Sequence, residues 1–167
     1  TDTGCFRYGN VTPRTHRMAA ELIERGAQAA EINRVMFDTK TRGRLEVERC
    51  ALQGMSFHFD GQCAFMYIPR KLVDDFAVEE GELDGLAALP RQVEGVLAGV
   101  CVREKKDGSL KVSLRTNAPL NAARICEAFG GGGHNAAAGC AFQNCTIEEV
   151  KEKLLAEIQR HLEGCKS

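Results

Sequence analysis

Several features that would quickly assign a sequence are missing from these 167 residues. Acidic and basic side chains nearly cancel, 23 against 22, so no global field draws the protein onto duplex nucleic acid, and any contact with a nucleotide has to be local. No apolar run approaches the roughly 18 residues that a membrane-spanning helix needs, and no signal-peptide pattern opens the chain. The sequence is therefore expected to be soluble and cytoplasmic, with no membrane partner. Internal repeats and low-complexity segments are absent. Eight cysteines stand at 5, 50, 63, 101, 126, 140, 145 and 165, yet no pair has the C-x-x-C spacing of common zinc and redox motifs. Most sit in apolar segments such as Val100-Cys101-Val102, where a free thiol packs as a small hydrophobe and a reducing compartment is implied. Two exceptions stay open: Cys140 and Cys145, which a short loop could bring together, and Cys5, in a candidate functional loop.

What is present suits an ordinary core, since 44% of the residues are hydrophobic. Thr12-Pro13 is a cap followed by proline at a first helical position, with Met18, Ala19, Leu22 and Ile23 forming a stripe before Gly26. Two more helices are predicted, Ala29 to Thr39 and Arg44 to Met55. The period changes at Ser56. Phe57-His58-Phe59, Asp60-Gly61 and Cys63 to Ile68 predict a hairpin, and a short helix from Lys71 to Phe76 leads into an acidic loop. Val96 to Val102, apolar on both faces, predicts a central strand. A turn at Lys106-Asp107-Gly108-Ser109 then introduces Leu110 to Arg115. Alternation there sends Leu110, Val112 and Leu114 to the core, and Lys111, Ser113 and Arg115 to the other face. A helix from Pro119 to Phe129, with Asn117 as its cap, and a strand from Gly139 to Phe142 follow. Thr146-Ile147-Glu148-Glu149 is a capping box that opens a last helix with Ile147, Val150, Leu154, Ile158 and Leu162 on one side. The fold class is α+β: an N-terminal helical segment, then a mixed β-sheet domain flanked by helices.

The passage with the most chemistry runs from Arg115 to Gly139. Gly130 to Gly133 have no side chains to hold a backbone away from an anion, and they allow the positive φ that turns successive N–H groups inward. His134, Asn135 and the alanines after them are expected to start a short helix whose free N–H groups reinforce the same anion site. Arg115 would add a bidentate guanidinium. Candidate ligand-binding residues are thus Arg115, Gly131, Gly132, Gly133, His134 and Asn135. Near the start, Asp2 in Asp-Thr-Gly is a candidate metal ligand. One carboxylate does not make a site, since magnesium and manganese take several oxygen or imidazole ligands.

The passage Phe129-Gly-Gly-Gly-Gly-His134-Asn-Ala-Ala-Ala-Gly139 resembles the signature of the substrate-binding domain associated with DHH phosphoesterases. Thr1 to Tyr8 with Thr12-Pro13 is similar to the last catalytic-domain motif of the oligoribonuclease/pAp-phosphatase (NrnA-like) branch. Leu86 to Arg91, Val93 to Val96 and Val112 to Arg115 are similar to its linker-to-sheet region. The resemblance implies a two-lobed enzyme with a two-metal centre, manganese or magnesium, in the N-terminal lobe and a nucleotide grip in the C-terminal one. Such metals, roughly 3.5 to 4 Å apart, activate water for in-line displacement at phosphorus.

Mapped onto this chain, Asp2 matches the final metal-binding aspartate, while Arg115, Gly131 to Gly133 and His134 match substrate positions. No Asp-His-His sequence occurs, so these residues are expected to be part of a longer enzyme, with no catalytic residue and no bound metal of their own. Residues 1–55 would be the helical end of the catalytic domain and 56–167 the substrate-binding domain. The expected partner is a short RNA or DNA oligonucleotide or a nucleotide, with a homodimer implied by exposed helix faces. Other readings are a cyclic-dinucleotide or pApA phosphodiesterase, a non-catalytic RNA- or nucleotide-binding module, and a stand-alone nucleotide sensor.

Overall fold

Caps read from the sequence at Thr12 and Thr146 open two of the helices in the computed structural model, which describes residues 3–7 and 9–165. By packing the chain divides into two units, Thr1–Thr41 and Arg42–Ser167. The first holds helix α1 (Pro13–Glu24), capped reciprocally by Thr12 and Thr15, and α2 (Ala29–Asn33). Where one α-helix was expected to run to Thr39, the chain widens into a π-helical turn over Arg34–Asp38, and the Thr39 hydroxyl donates to the Arg34 carbonyl at 2.8 Å. Neither helix nor the turn contains a buried residue. The apolar stripe of α1 is present but open, with Met18, Leu22 and Ile23 each more than half exposed. Leu22 and Ile23 join Phe6, Ile32, Met36 and Phe37 around an apolar groove of about 300 Å³.

The second unit is built on a six-stranded mixed sheet: β1 (Ser56–His58), β2 (Cys63–Ile68), β3 (Ala98–Glu104), β4 (Leu110–Thr116), β5 (Gly132–His134) and β6 (Ala137–Phe142), in the order β1-β2-β3-β4-β6-β5. All neighbours are antiparallel except β2 and β3. The sequence predicts a central position for β3, and β3 is buried from Ala98 to Arg103. Between β2 and β3 the chain passes through α4 (Arg70–Asp75) and two 3-10 segments, Glu80–Ala88 and Pro90–Gln92.

One face of the sheet is covered by α5 (Ala122–Glu127) and α6 (Ile147–Gly164). Val100, Val102, Val112 and Leu114 meet Ile125 and the α6 stripe Val150, Leu154, Ile158 and Leu162 in one core. The spacing of that stripe is the i, i+4 repeat of a helix lying along a sheet. Thr146 and Glu149 cap α6 reciprocally, the Thr146 N–H donating to Glu149 Oε2 at 2.8 Å and the Glu149 N–H to Thr146 Oγ1 at 3.2 Å.

On the other face the packing among the described residues lies over β2 and β3 and reaches Ser113 of β4, which is 9% exposed. There Met66, Ile68 and Cys101 pack against Val73, Leu83, Leu86 and two residues of α3 (Arg42–Gln53), Val47 and Ala51. This contact is why α3 goes with the sheet by packing.

Candidate functional site

The β4, β6 and β5 part of that second face carries the candidate residues. Side chains paired across neighbouring strands point to the same side of a sheet. Arg115 pairs with Ala137, and Ala137 with His134. One step along, Ser113 pairs with Gly139 and Gly139 with Gly132. The result is two adjoining rows of small residues: Ala137 between Arg115 and His134, and beside it Gly132 and Gly139, with Ser113 buried at the inner end. Lys111 lies two residues from Ser113 and so shares the face, as the alternation of β4 predicts. Arg115 is half-buried and His134 exposed. Arg115 Nη1 donates to the Leu114 carbonyl at 3.1 Å, which fixes the guanidinium near the strand end. Its charge extends into the core: burial pushes the Cys101 thiol up to about 11, while Arg103 and Arg115 act against that shift.

The glycine run does not behave as expected after Gly131. No helix starts at His134: Gly132–His134 is strand β5, and Asn135-Ala136 forms the turn into β6. Nor do four N–H groups converge on one anion, because the Gly130 N–H donates to the Glu127 carbonyl at 3.1 Å and the Gly131 N–H to that of Cys126 at 2.9 Å, closing the end of α5. Glycine serves close approach instead. A Cβ on Gly131 would stand 2.2 Å from the Gly139 carbonyl oxygen, and one on Gly133, whose φ is +148°, 2.6 Å from that of Ala137. At Gly132 the space is open. Its bare backbone lies two residues before His134 on β5, in the row beside that of Arg115 and His134.

Asn135 holds the turn down. Its carbonyl accepts from the Ala122 N–H at 2.7 Å and from the Thr116 hydroxyl at 2.9 Å. Its side-chain oxygen accepts from the Asn121 amide at 2.9 Å, which leaves the Asn135 amide nitrogen for a ligand. The Thr116 N–H donates to the Ala136 carbonyl at 3.1 Å. Asn121, missed in the sequence, caps α5 by accepting from the Arg124 N–H at 3.2 Å. Asn117, expected as that cap, instead donates its side chain to the Val96 carbonyl at 2.8 Å. The sequence signal for Asn121 was its place before Ala-Ala-Arg-Ile, which the proline at 119 obscured.

All eight cysteines are free thiols. Cys140 finds Cys126 rather than Cys145: a hydrogen bond between the two thiols and burial together raise the Cys140 pKa. Among the described residues no three His, Cys, Asp or Glu side chains gather as a metal site. Asp2 lies outside the described residues. No helix among the described residues is long and apolar enough to cross a membrane.

Residues 60–164 match the DHHA1 domain. The chain belongs to the DHHA1 domain family. This DHHA1 chain is 34% identical over 163 residues to the bifunctional oligoribonuclease and PAP phosphatase NrnA of Thermus thermophilus, covering 97% of this chain and 48% of that protein. It is 24% identical over 158 residues to the NrnA of Bacillus subtilis, covering 95% and 48%. The chain therefore spans about half the length of the curated relatives it matches. In three dimensions it resembles an exopolyphosphatase-related protein from Bacteroides fragilis, with a TM-score of 0.87 and 24% identity over 99% of this chain and 48% of that one. That likeness bears on the fold alone.

Proposed function

We propose that this DHHA1 chain is the substrate-gripping part of a metal-dependent phosphoesterase that hydrolyses short RNA or DNA oligonucleotides and 3′-phosphoadenosine 5′-phosphate (pAp) in the cytoplasm. The observation that carries the reading is the row Arg115–Ala137–His134 with Gly139 and Gly132 in the row beside it. It sets a guanidinium and an imidazole on either side of a surface where a phosphate and its sugar meet no intervening side chain. Such contacts hold a nucleic acid in register without reading its sequence. Arg115 takes the phosphate, His134 bonds a phosphate oxygen or stacks on a base, and the Asn135 amide and the Gly132 backbone line the approach. The likeness to the two NrnA proteins supports this substrate class.

Residues 1–55 belong, on the same proposal, to the catalytic domain and 56–167 to the substrate-binding domain. Manganese or magnesium would be held by a lobe that supplies further ligands beside Asp2. That group would activate the attacking water, and the part of this chain is to position the phosphate. Self-association through the exposed apolar side chains of α1 belongs to the same reading.

Titrating the chain with pAp, pApA and a short RNA tests it. Binding that weakens with added salt and is lost in Arg115→Ala and His134→Ala is expected. Unchanged binding in both variants would defeat the assignment. Manganese added to the 167 residues alone is expected to give no turnover; robust hydrolysis would place the catalytic centre within these residues.

A further inference from the structure

The row that holds Arg115 and His134 continues one strand further. Gly99 of β3 pairs with Arg115 and so shares its face. A Cβ on Gly99 would stand 2.5 Å from the backbone nitrogen of Arg91 and 2.9 Å from its Cα. Only glycine lets the 3-10 turn Pro90–Gln92 rest directly on the sheet here, and the turn brings Arg91 beside the Arg115 position. Proline at the first position of that turn fixes its entry.

Three other enclosed cations of this unit are engaged by carboxylates, while Lys151 donates to the Ser56 hydroxyl at 3.2 Å and lies over the Phe65 ring. Arg103 faces Asp84 at 3.3 Å, and Arg70 and Lys105 share Glu80 at 2.9 and 2.5 Å. Arg91 is half-buried, and its side chain has no hydrogen bond or ion pair with any described residue. A guanidinium set against a sheet without a carboxylate is suited to an anion brought from outside.

We propose that Arg91 is a second phosphate ligand next to Arg115, and that the site takes substrates with two phosphates separated by one nucleoside, such as pAp or a 5′-phosphorylated dinucleotide, over nucleoside monophosphates. The inference rests on the reading of Arg115 and His134 as the substrate face. Its added argument is width. From His134 to Gly99 the row crosses three strand spacings, about 14 Å. One phosphate, held at about 3 Å by each donor, occupies only part of that width. Two phosphates with a sugar between them fill it, one toward His134 and one toward Arg91, with Arg115 between.

Calorimetric titration of the chain with AMP, pAp and pApA, in wild type and in Arg91→Gln, Arg91→Lys, Arg115→Ala and His134→Ala, tests this. Arg91→Gln is expected to weaken pAp and pApA about tenfold, to leave AMP within about twofold, and to lower the salt slope by about one. Arg91→Lys restores most of the loss if charge is what matters, whereas a loss caused by altered folding would persist in Lys and appear in the thermal midpoint. Wild-type affinity of Arg91→Gln for pAp and pApA overturns the Arg91 assignment while leaving the Arg115 site in place. An equal loss for AMP overturns the two-phosphate preference. Full binding by Arg115→Ala and His134→Ala defeats the underlying site instead.

Discussion

Arg115 of β4 and His134 of β5 are both cross-strand partners of the same residue, Ala137 of β6. Their Cα positions are therefore two strand spacings apart, roughly 10 Å, with nothing larger than a methyl group between them. The charge of Arg115 and its fork shape are separable. Arg115→Lys keeps the charge but gives up bidentate bonding, so affinity for pAp should fall several-fold while the salt dependence stays as in the wild type. A lysine variant that binds as tightly as the wild type would mean that only the field of the charge is used.

The glycines divide into two kinds that substitution can tell apart. Gly131→Ala forces a methyl group into the Gly139 carbonyl, where the gap is 2.2 Å, and against Cys140 Cβ at 2.6 Å. Thermal unfolding should show a loss of about 1–3 kcal/mol, as overpacking does. Gly132→Ala meets open space and should leave the melting temperature nearly unchanged. If Gly132→Ala nevertheless weakens nucleotide binding, the ligand approaches that backbone; if binding also stays unchanged, Gly132 is not part of the contact surface.

Thr116 is 2% exposed and its hydroxyl donates to the Asn135 carbonyl. Thr116→Val keeps the shape and removes the donor, although the Ala122 N–H still reaches the same oxygen. About 1 kcal/mol of stability should be lost. Amide exchange should quicken at Ala136 to Ala138 before it does in β3. Uniform acceleration across the sheet would show that the bond supports the whole fold rather than the hairpin.

Glu80 is held below the usual carboxylate range by its hydrogen bond from Lys105, which outweighs the opposing effect of burial with help from the charges of Lys105, Arg103 and Arg70. A depressed folded pKa means that the stabilisation is fully present above the unfolded value and is lost as pH falls through the folded one. Glu80→Gln should therefore destabilise at neutral pH and match the wild type at the acidic end of the titration. Solvent reaches this carboxylate, so the effect should be no more than about 1 kcal/mol. Urea midpoints measured across that range check both the sign and the window.

Where one residue type can do only one thing, the sequence was readable. Strict alternation in Leu110 to Arg115 put Arg115 opposite the core, and the capping box at Thr146 with the stripe from Val150 to Leu162 placed α6 and its buried side. The glycine passage was harder because glycine is used in it for three purposes: closing α5 at Gly130 and Gly131, letting β6 approach at Gly131 and Gly133, and leaving a bare surface at Gly132. Composition does not separate these uses. Small residues after His134 suit a helix start and a tight hairpin equally well, and the hairpin wins through long-range bonds from Thr116 and Ala122 that no local pattern records. Asn117 and Asn121 were similarly interchangeable as caps until Pro119 and the start of α5 were located. Gly99 carries no local signal of its role, because what rests on it comes from the Pro90–Gln92 turn.

The bonds that pin Asn135 also bear on how a ligand would meet this surface. A run of four glycines suggests a loop that must be ordered on binding, at a cost of about 1–2 kcal/mol for each backbone residue fixed. Here that ordering belongs to folding: the run is tied at one end to α5 and at the other to β4 and β6. On the proposed reading, a phosphate arriving between Arg115 and His134 would find the surface already assembled, and the free energy of its contacts would go into affinity rather than into shaping the receptor.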